Sequence, residues 1–201
     1  ARPGAGARLE LRADPLPWVS RAAAKLLHAL DAFALVPAGE ALDLGASTGG
    51  FTEVLLARGA ARVTALDVGR GQLHPRLAGD PRVTLREGVN ARALPPDLPR
   101  PDWITADLSF ISLAKALPPA LALARPGAVL VALIKPQFEA GPDAVGKGGL
   151  VRDPAVHAAV RARVRDVLEA AGWTVLGETE SPIAGGDGNR EFLIAARRPD
   201  G

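Results

Sequence analysis

The sequence predicts an α/β fold with a mostly parallel sheet and helices on both faces. Apolar segments of strand length alternate with segments of helical periodicity from about residue 20 onward. One early strand runs directly into a glycine-rich turn, and several later strands end in a charged residue. In open α/β sheets such turns and strand ends meet at one edge, where ligands bind.

The composition limits the chain to one well-buried domain. It has 201 residues, of which 48% are hydrophobic. The formal net charge is only +2, but arginine dominates the basic residues, so a local patch for a nucleic-acid partner is allowed.

Several classes of site are not expected. The chain has no cysteine, which excludes disulfides and thiolate chemistry, and its three histidines are scattered, so we expect no metal site. The longest apolar run, residues 128–134, is far shorter than the roughly 20 residues of a membrane span. With no visible signal peptide, the sequence predicts a cytoplasmic protein.

Residues 1–19 are rich in glycine, proline and arginine and have no periodicity, which predicts a linker. Because the chain begins with Ala1 and contains no methionine, we expect that another segment, large enough to carry a domain, precedes it. The folded domain is predicted to span residues 20–198.

The first helix is predicted from Ser20, as its N-cap, to about Phe33. Lys25 lies on this helix, and propensity alone favours a solvated lysine on a polar face.

Residues 41–52 are predicted to form the end of a strand and then a glycine-rich turn, which leads into a helix over residues 53–58. Glycine lets a backbone approach a ligand closely. The spacing of Gly45, Gly49 and Gly50 fits neither the dinucleotide fingerprint nor the phosphate-binding loop with its lysine. A ligand with an adenosine but no pyrophosphate fits better, and S-adenosylmethionine is the common one. Close packing without a ligand remains the alternative.

The next two strands are predicted over residues 62–67 and 83–87. Asp67 ends the first of them, 24 positions after Asp43, where an acidic residue can bind a ribose hydroxyl pair. A turn aspartate before Gly69 explains it equally well. Glu87, Gly88 and Asn90 follow as candidates for the adenine edge or the ribose.

A proline-rich loop over residues 94–101 precedes a strand over 102–107, a helix over 113–124 and the most apolar strand, 128–134. Asp107 ends the first of these strands, and Lys135 follows the second. A central parallel strand is buried on both faces, so its carboxyl end opens into the ligand crevice. Lys135 is therefore a stronger functional candidate than a lysine on a helix surface.

A glycine-rich segment over residues 141–149 with Lys147 is either a mobile lid or a plain surface loop. A long helix from residue 153 or 154 to about 171 follows. The last two strands, 174–180 and 191–196, are joined without a helix and must be antiparallel neighbours. Glu191 is then predicted to face the same crevice as Asp107 and Lys135, and Lys25 can enter it from the first helix.

Six segments resemble the TlyA (hemolysin A) family of ribosomal RNA 2′-O-methyltransferases, and Ser20, Arg21 and Lys25 match its first helix. The segments are DLGASTGGFT (43–52), DVGRGQL (67–73), DLSFISL (107–113), LIKPQFE (133–139), GKGGLVRD (146–153) and SPIAGGDGNREFL (181–193). They occur in family order and cover residues 18–196.

The resemblance implies a Rossmann-like class I methyltransferase fold, with a seven-stranded mostly parallel sheet of order 3-2-1-4-5-7-6 and the last strand antiparallel. It also implies methyl transfer from S-adenosylmethionine to a ribose 2′-hydroxyl, of a cytidine, in ribosomal RNA or a ribosomal subunit. Related FtsJ-type enzymes carry a Lys-Asp-Lys-Glu tetrad, which maps here onto Lys25, Asp107, Lys135 and Glu191. Lys135 is then the general base if its amine is neutral.

The family also usually has an amino-terminal S4-like RNA-binding domain, which predicts that residues 1–19 are the remnant of its linker. Where the family has glycines after Ser-Arg, this chain has Ala22 and Ala23, which favour the helix.

The candidate site residues form three groups. The tetrad is catalytic, and Arg21 and Lys147 are expected to contact RNA. The residues expected to bind the cofactor are Asp43, Gly45, Ala46, Ser47, Thr48, Gly49, Gly50, Phe51, Thr52, Asp67, Val68, Glu87, Gly88, Asn90 and Asp107.

Three alternatives are open: a catalytically silent cofactor- or RNA-binding module, a membrane-lytic hemolysin, and a nicotinamide-dependent oxidoreductase. The glycine spacing disfavours the oxidoreductase, and the sequence has no strongly amphipathic basic helix to favour lysis.

Overall fold

A computed structural model describes residues 17–201 and contains one seven-stranded sheet of order β3-β2-β1-β4-β5-β7-β6. This order confirms the predicted one. The strands are β1 (Glu40–Leu44), β2 (Arg62–Asp67), β3 (Val83–Glu87), β4 (Trp103–Ala106), β5 (Val129–Ile134), β6 (Thr174–Glu180) and β7 (Phe192–Arg197). Most of the predicted linker, residues 1–16, lies outside the described residues.

The described helices are α1 (Ala22–Ala32), α2 (Gly50–Arg58), α3 (Pro75–Ala78), α4 (Leu113–Ala116), α5 (Pro118–Leu123), α6 (Pro136–Glu139) and α7 (Pro154–Ala170). Two 3₁₀ turns, Pro142–Ala144 and Lys147–Gly149, lie between α6 and α7. The sequence did not predict α3 or α6, and α2 begins three residues earlier than predicted.

The single helix predicted over residues 113–124 is wrong, because the structure divides it at Leu117. Pro118 has no backbone N–H to continue the hydrogen-bond ladder of α4. Proline is, however, well suited to the first turn of a helix, and it starts α5 there.

The sheet separates two apolar layers. Alternate residues of β5, such as Leu130 and Val131, belong to opposite layers, and every residue of the strand is buried. The first layer packs against α4, α5 and α7, and the second against α1 and α2. This burial confirms that β5 is a central strand whose carboxyl end opens at the ligand edge.

The last strand brings the end of the chain to that edge. β7 is antiparallel to both β5 and β6, and Ile134 pairs with Phe192. Since Lys135 follows Ile134 and Glu191 precedes Phe192, the two charged residues lie at the same edge, as the topology predicts.

Candidate functional site

Two ion pairs lie at the carboxyl edge of the sheet. Lys25 Nζ is 2.6 Å from Glu191 Oε2, and Lys135 Nζ is 2.6 Å from Asp107 Oδ1. Lys25, Asp107 and Lys135 line one cavity of about 310 Å³, which we call the first cavity. The four residues that the sequence predicts to meet therefore do meet, and we refer to them as the tetrad.

The pair of Lys25 and Glu191 is the deeper one. The two residues are only 8% and 2% exposed. A β-carbon placed on Gly185 would lie 2.6 Å from Glu191 Oε1, so a glycine is required above this carboxylate. The interpretation of Lys25 as a solvated surface lysine is wrong, since Glu191, distant in sequence, compensates its buried charge.

The pair of Lys135 and Asp107 is more open on its carboxylate side, since the side chain of Asp107 is 16% exposed against 3% for Glu191, whereas the two lysines are about equally exposed. Lys135 Nζ donates a hydrogen bond to Ser109 Oγ at 2.9 Å. Asp107 Oδ1 is buried and has no hydrogen-bond partner of good geometry. Its close contact with Lys135 is therefore an ion pair without a well-aligned hydrogen bond. Lys135 is thus fixed between a carboxylate and a hydroxyl at the floor of the cavity.

The glycine-rich turn forms a second wall of the first cavity. Gly45 (φ +82°), Ser47 (φ +48°) and Gly49 (φ +98°) all have left-handed backbone conformations. A β-carbon on Gly45 would lie 2.5 Å from the backbone oxygen of Asp107. The turn can therefore approach the tetrad because residue 45 has no side chain.

Asp43 supports this turn from below. Its carboxylate is fully buried and accepts hydrogen bonds from the hydroxyls of Thr52 (2.7 Å) and Thr105 (2.8 Å). Burial raises the pKa of Asp43 from 3.8 to about 6, against the opposite effect of the two hydroxyls. Asp43 and Thr52 do not line either cavity.

A second cavity, of about 940 Å³, adjoins the first and shares Gly45, Ser47, Asp107 and Ser109 with it. Its further lining includes the acidic Asp67, the amide of Asn90 and three apolar side chains, Val68, Val89 and Leu108. An acidic group beside apolar walls suits a nucleoside, whose ribose is polar and whose base is flat.

Asp67 has the turn role considered for it in the sequence, and its ribose-binding role stays a prediction. Its Oδ1 accepts the N–H of Gly69 at 2.7 Å, as in a turn, and its Oδ2 accepts the N–H of Ser47 at 2.8 Å. The residue also lines the second cavity. It therefore ties the glycine-rich turn to the end of β2 beside the expected position of a ribose.

The remaining candidates are more dispersed. Glu87 accepts the N–H of Gly71 at 2.6 Å and lines neither cavity, and Gly88 lies against the guanidinium of Arg70. Arg21 lines the first cavity, whereas Lys147 lies outside both. Of the other residues expected to bind the cofactor, Ala46, Thr48, Gly50 and Phe51 line the first cavity and Gly49 does not.

Two residues at the site were not singled out from the sequence. Ser109 bonds Lys135, and Phe110 is 91% exposed with a φ of +64°. The Phe110 ring lies 5.0 Å from the ring of Phe138, centre to centre. Both residues lie in the segment DLSFISL (107–113). A phenylalanine is ordinarily expected in the hydrophobic core, so the sequence did not predict the exposure of Phe110.

No group of three or more His, Asp or Glu side chains in residues 17–201 is arranged to hold a metal ion. In the same part of the chain, no helix is both long and apolar enough to cross a membrane.

Comparison with known proteins gives one family. The model of the FtsJ-like methyltransferase family matches residues 18–198. A Mycobacterium tuberculosis protein named 16S/23S rRNA (cytidine-2′-O)-methyltransferase TlyA is 51% identical over 183 residues, which are 90% of this chain and 68% of that protein. A Brachyspira hyodysenteriae protein named hemolysin A is 39% identical, over 89% of this chain and 76% of that protein.

Solved structures agree with the fold. A protein from Streptococcus thermophilus, described as a hemolysin, superposes with a TM-score of 0.88 at 41% identity, covering 94% of this chain and 70% of that one. The N-methyltransferase NodS from Bradyrhizobium japonicum, solved with S-adenosyl-L-homocysteine, has a TM-score of 0.63 at 18% identity. That match covers 90% of this chain and 87% of NodS, and at this identity it concerns the fold alone.

Proposed function

Because this chain belongs to the FtsJ-like methyltransferase family, we propose that it transfers a methyl group from S-adenosylmethionine to the 2′-hydroxyl of a cytidine in ribosomal RNA. The relative from Mycobacterium tuberculosis and a relative from Campylobacter jejuni are both named as rRNA (cytidine-2′-O)-methyltransferases. Such a substrate implies a cytoplasmic site of action on ribosomal RNA or ribosomal subunits.

One observation supports this function above the others. Lys25, Lys135 and Asp107 line a cavity that continues, past Gly45 and Asp107, into a cavity suited to a nucleoside, while Glu191 lies buried behind Lys25 rather than facing the crevice as predicted. A methyl donor in the second cavity and a hydroxyl in the first would meet at this junction.

The residues present fit the methyl donor. Asp67 would bind the ribose, the apolar walls at Val68, Val89 and Leu108 would enclose the adenine, and the turn at residues 45–50 would contact the methionine part. S-adenosylmethionine supplies an electrophilic methyl group on a positively charged sulfur. Asp43 and Thr52 would act indirectly, by supporting the turn.

The reaction needs a proton acceptor at the first cavity. In its neutral form, Lys135 Nζ would take the proton of the ribose 2′-hydroxyl as the new oxygen–carbon bond forms and the sulfur–carbon bond breaks. Asp107 and Ser109 hold this amine in place. The ammonium formed on Lys135 then pairs with the Asp107 carboxylate, so the charge created by proton transfer is compensated.

The second pair would position the substrate oxygen. Lys25 lines the cavity, while Glu191 lies behind it and is almost fully buried. Glu191 holds the ammonium of Lys25 in one position. The ammonium would therefore donate a hydrogen bond to the ribose oxygen without a further loss of side-chain entropy.

Substrate RNA would lie across the same edge. Arg21 at the first cavity and Lys147 on its neighbouring loop would bind phosphates, and the exposed ring of Phe110 offers a surface on which a base can stack.

The test is methyl transfer from labelled S-adenosylmethionine to ribosomal RNA and to isolated subunits. The wild-type chain should transfer label, and Lys135→Met should bind the cofactor but transfer none. Arg82→Ala is the matched control, because Arg82 pairs with Asp80 on the surface and lines neither cavity. Cofactor binding without transfer by the wild type would instead support the silent module.

A further inference from the structure

We infer that Asn189 is a positioning residue that holds the loop of Lys147 in register with the loop lining the first cavity. The Lys147 loop is residues 146–151, and the C-terminal loop is residues 181–190. The inference rests on the proposed function, because it concerns how these two loops present the substrate to the tetrad.

The side chain of Asn189 satisfies two backbone groups of the Lys147 loop. Its Oδ1 accepts the N–H of Val151 at 2.9 Å, and its Nδ2 donates to the carbonyl of Gly149 at 2.9 Å. Asn189 is only 1% exposed. A primary amide has one acceptor and one donor in this arrangement, whereas a carboxylate or an alkyl group would leave at least one buried backbone group unsatisfied.

The backbone of Asn189 simultaneously shapes the C-terminal loop. Its carbonyl accepts the N–H of Gly185 at 2.9 Å, and Gly185 in turn accepts the N–H of Gly188 at 2.9 Å. Gly185 packs directly on the carboxylate of Glu191. Its neighbours Ala184 and Gly186 line the first cavity. One residue thus connects the Lys147 loop with the cover of the buried ion pair.

The Lys147 loop has few other constraints at this end. Gly148 and Gly149 have φ values of +78° and +77°, and a β-carbon on either would meet no atom within 4 Å. A second side-chain contact comes from His157, whose Nε2 donates to the Val151 carbonyl at 2.9 Å. His157 therefore fixes the loop at residue 151, while Asn189 also fixes it at residue 149, next to the open glycines and Lys147.

These contacts modify the interpretation of this segment as a mobile lid or a plain surface loop. Its end at residues 149–151 is anchored on buried groups, while Lys147 itself is exposed. If Lys147 binds an RNA phosphate, Asn189 sets the position of that phosphate relative to the tetrad. Loss of Asn189 should then weaken the binding of RNA and misplace the bound RNA relative to the tetrad. The cofactor cavity should stay intact.

Hydrogen exchange and kinetics of the full chain test this inference. In Asn189→Ala, the amides of residues 149–151 and 185 should exchange faster than in the wild type. The control Ser181→Ala, which removes a hydrogen bond within the C-terminal loop, should leave exchange at residues 149–151 unchanged. We expect kcat/KM for RNA to fall about tenfold, mainly through KM, as the loss of one buried and one partly buried hydrogen bond implies. The affinity for S-adenosylmethionine should not change.

A double substitution separates positioning from a general loss of structure. Lys147→Ala should lower the salt dependence of RNA binding by about one phosphate contact. If Asn189 acts through Lys147, Asn189→Ala should lower the salt dependence similarly, and the double variant should be no worse than the more damaging single variant.

Several results would overturn the inference: unchanged exchange at residues 149–151, unchanged RNA kinetics despite faster exchange, or fully additive effects of the two substitutions. Failure of the proposed function has a different signature, which is a wild-type chain that binds cofactor and transfers no methyl group. The exchange measurement still decides whether Asn189 holds the two loops in that case, and any loss of RNA affinity is then read from binding alone.

Discussion

The two ion pairs of the tetrad have the same composition and the same 2.6 Å separation, but different surroundings. Both lysines line the first cavity and are about equally exposed, at 10% and 11% of their side chains. The carboxylates differ, because Glu191 is 3% exposed beneath Gly185 whereas Asp107 is 16% exposed. Lys135 also has a second partner in Ser109. The difference shows that two ion pairs of the same composition can have unequal burial of their carboxylates, and we expect the more open pair to be the one that exchanges a proton.

The largest expected effect is on the open pair. Lys135→Met should reduce the rate of methyl transfer by at least about 10³-fold, the scale of a lost general base. The midpoint of thermal unfolding should fall less than for loss of the Lys25–Glu191 pair, because the Asp107 carboxylate that loses its partner is 16% exposed and can be partly hydrated. Single-turnover transfer at saturating cofactor measures the first quantity and calorimetry the second. Retention of most of the rate would remove Lys135 from the proposed mechanism.

For the pair of Lys25 and Glu191, we expect the larger effect on stability. Glu191→Ala leaves the ammonium of Lys25 buried without its partner, and should lower the free energy of unfolding by about 3–5 kcal/mol. Replacing both members, as Lys25→Met with Glu191→Leu, should recover much of this stability but not the activity. Denaturant unfolding of the single and double variants checks this. Equal stability of Glu191→Ala and the wild type would show that the two pairs do not differ as described.

Asp43 provides a pH-dependent test of the support beneath the glycine-rich turn. Its pKa is raised from 3.8 to about 6 in the folded state, so protonated Asp43 is the form that favours folding. This contribution is fully present below pH 3.8 and is lost as the pH rises to 6, a change of about 3 kcal/mol in the free energy of unfolding.

Asp43→Asn carries no charge and should lack this loss. The difference in unfolding free energy between Asp43→Asn and the wild type should therefore move in favour of the variant between pH 4 and pH 7. Urea titrations at a series of pH values measure this difference. The titration of all other groups contributes equally to both proteins and is removed by the subtraction. A difference that stays constant with pH would contradict the assignment.

The smallest expected effect is that of Ser109→Ala. The substitution removes the hydroxyl that accepts a hydrogen bond from Lys135 but leaves Asp107 in place. We expect kcat to fall about fivefold to tenfold, the equivalent of one ordinary hydrogen bond of about 1 kcal/mol, with unchanged stability. Steady-state kinetics give the value. A loss as large as that of Lys135→Met would mean that Ser109, rather than Asp107, controls the amine.

Much of the fold could be predicted from the sequence, because strand periodicity is local. The bounds of β2, β3 and β6 agree with the prediction to the residue. The position of Glu191 also followed from topology, since a strand joined without a helix must return beside its neighbour. The break at Pro118 was missed because the apolar pattern continues across it.

The site was less predictable, because its contacts join distant parts of the chain. Helical propensity places Lys25 on a polar face, and only Glu191, 166 residues later, explains its burial. Asn189 is likewise a loop residue in sequence, and its bonds to Gly149 and Val151 cross 40 and 38 residues. The functions of all the candidate site residues, the tetrad as well as Glu87, Gly88 and Lys147, remain predictions.

The most direct test of the central claim is the position of the transferred methyl group. Ribosomal RNA modified by the wild-type chain is digested with alkali, which needs a free 2′-hydroxyl to cleave the backbone. We predict that the label is recovered in an alkali-resistant dinucleotide that begins with cytidine, and that Lys135→Met produces none. Label recovered on a base, in an alkali-sensitive nucleotide, would contradict ribose methylation by the tetrad.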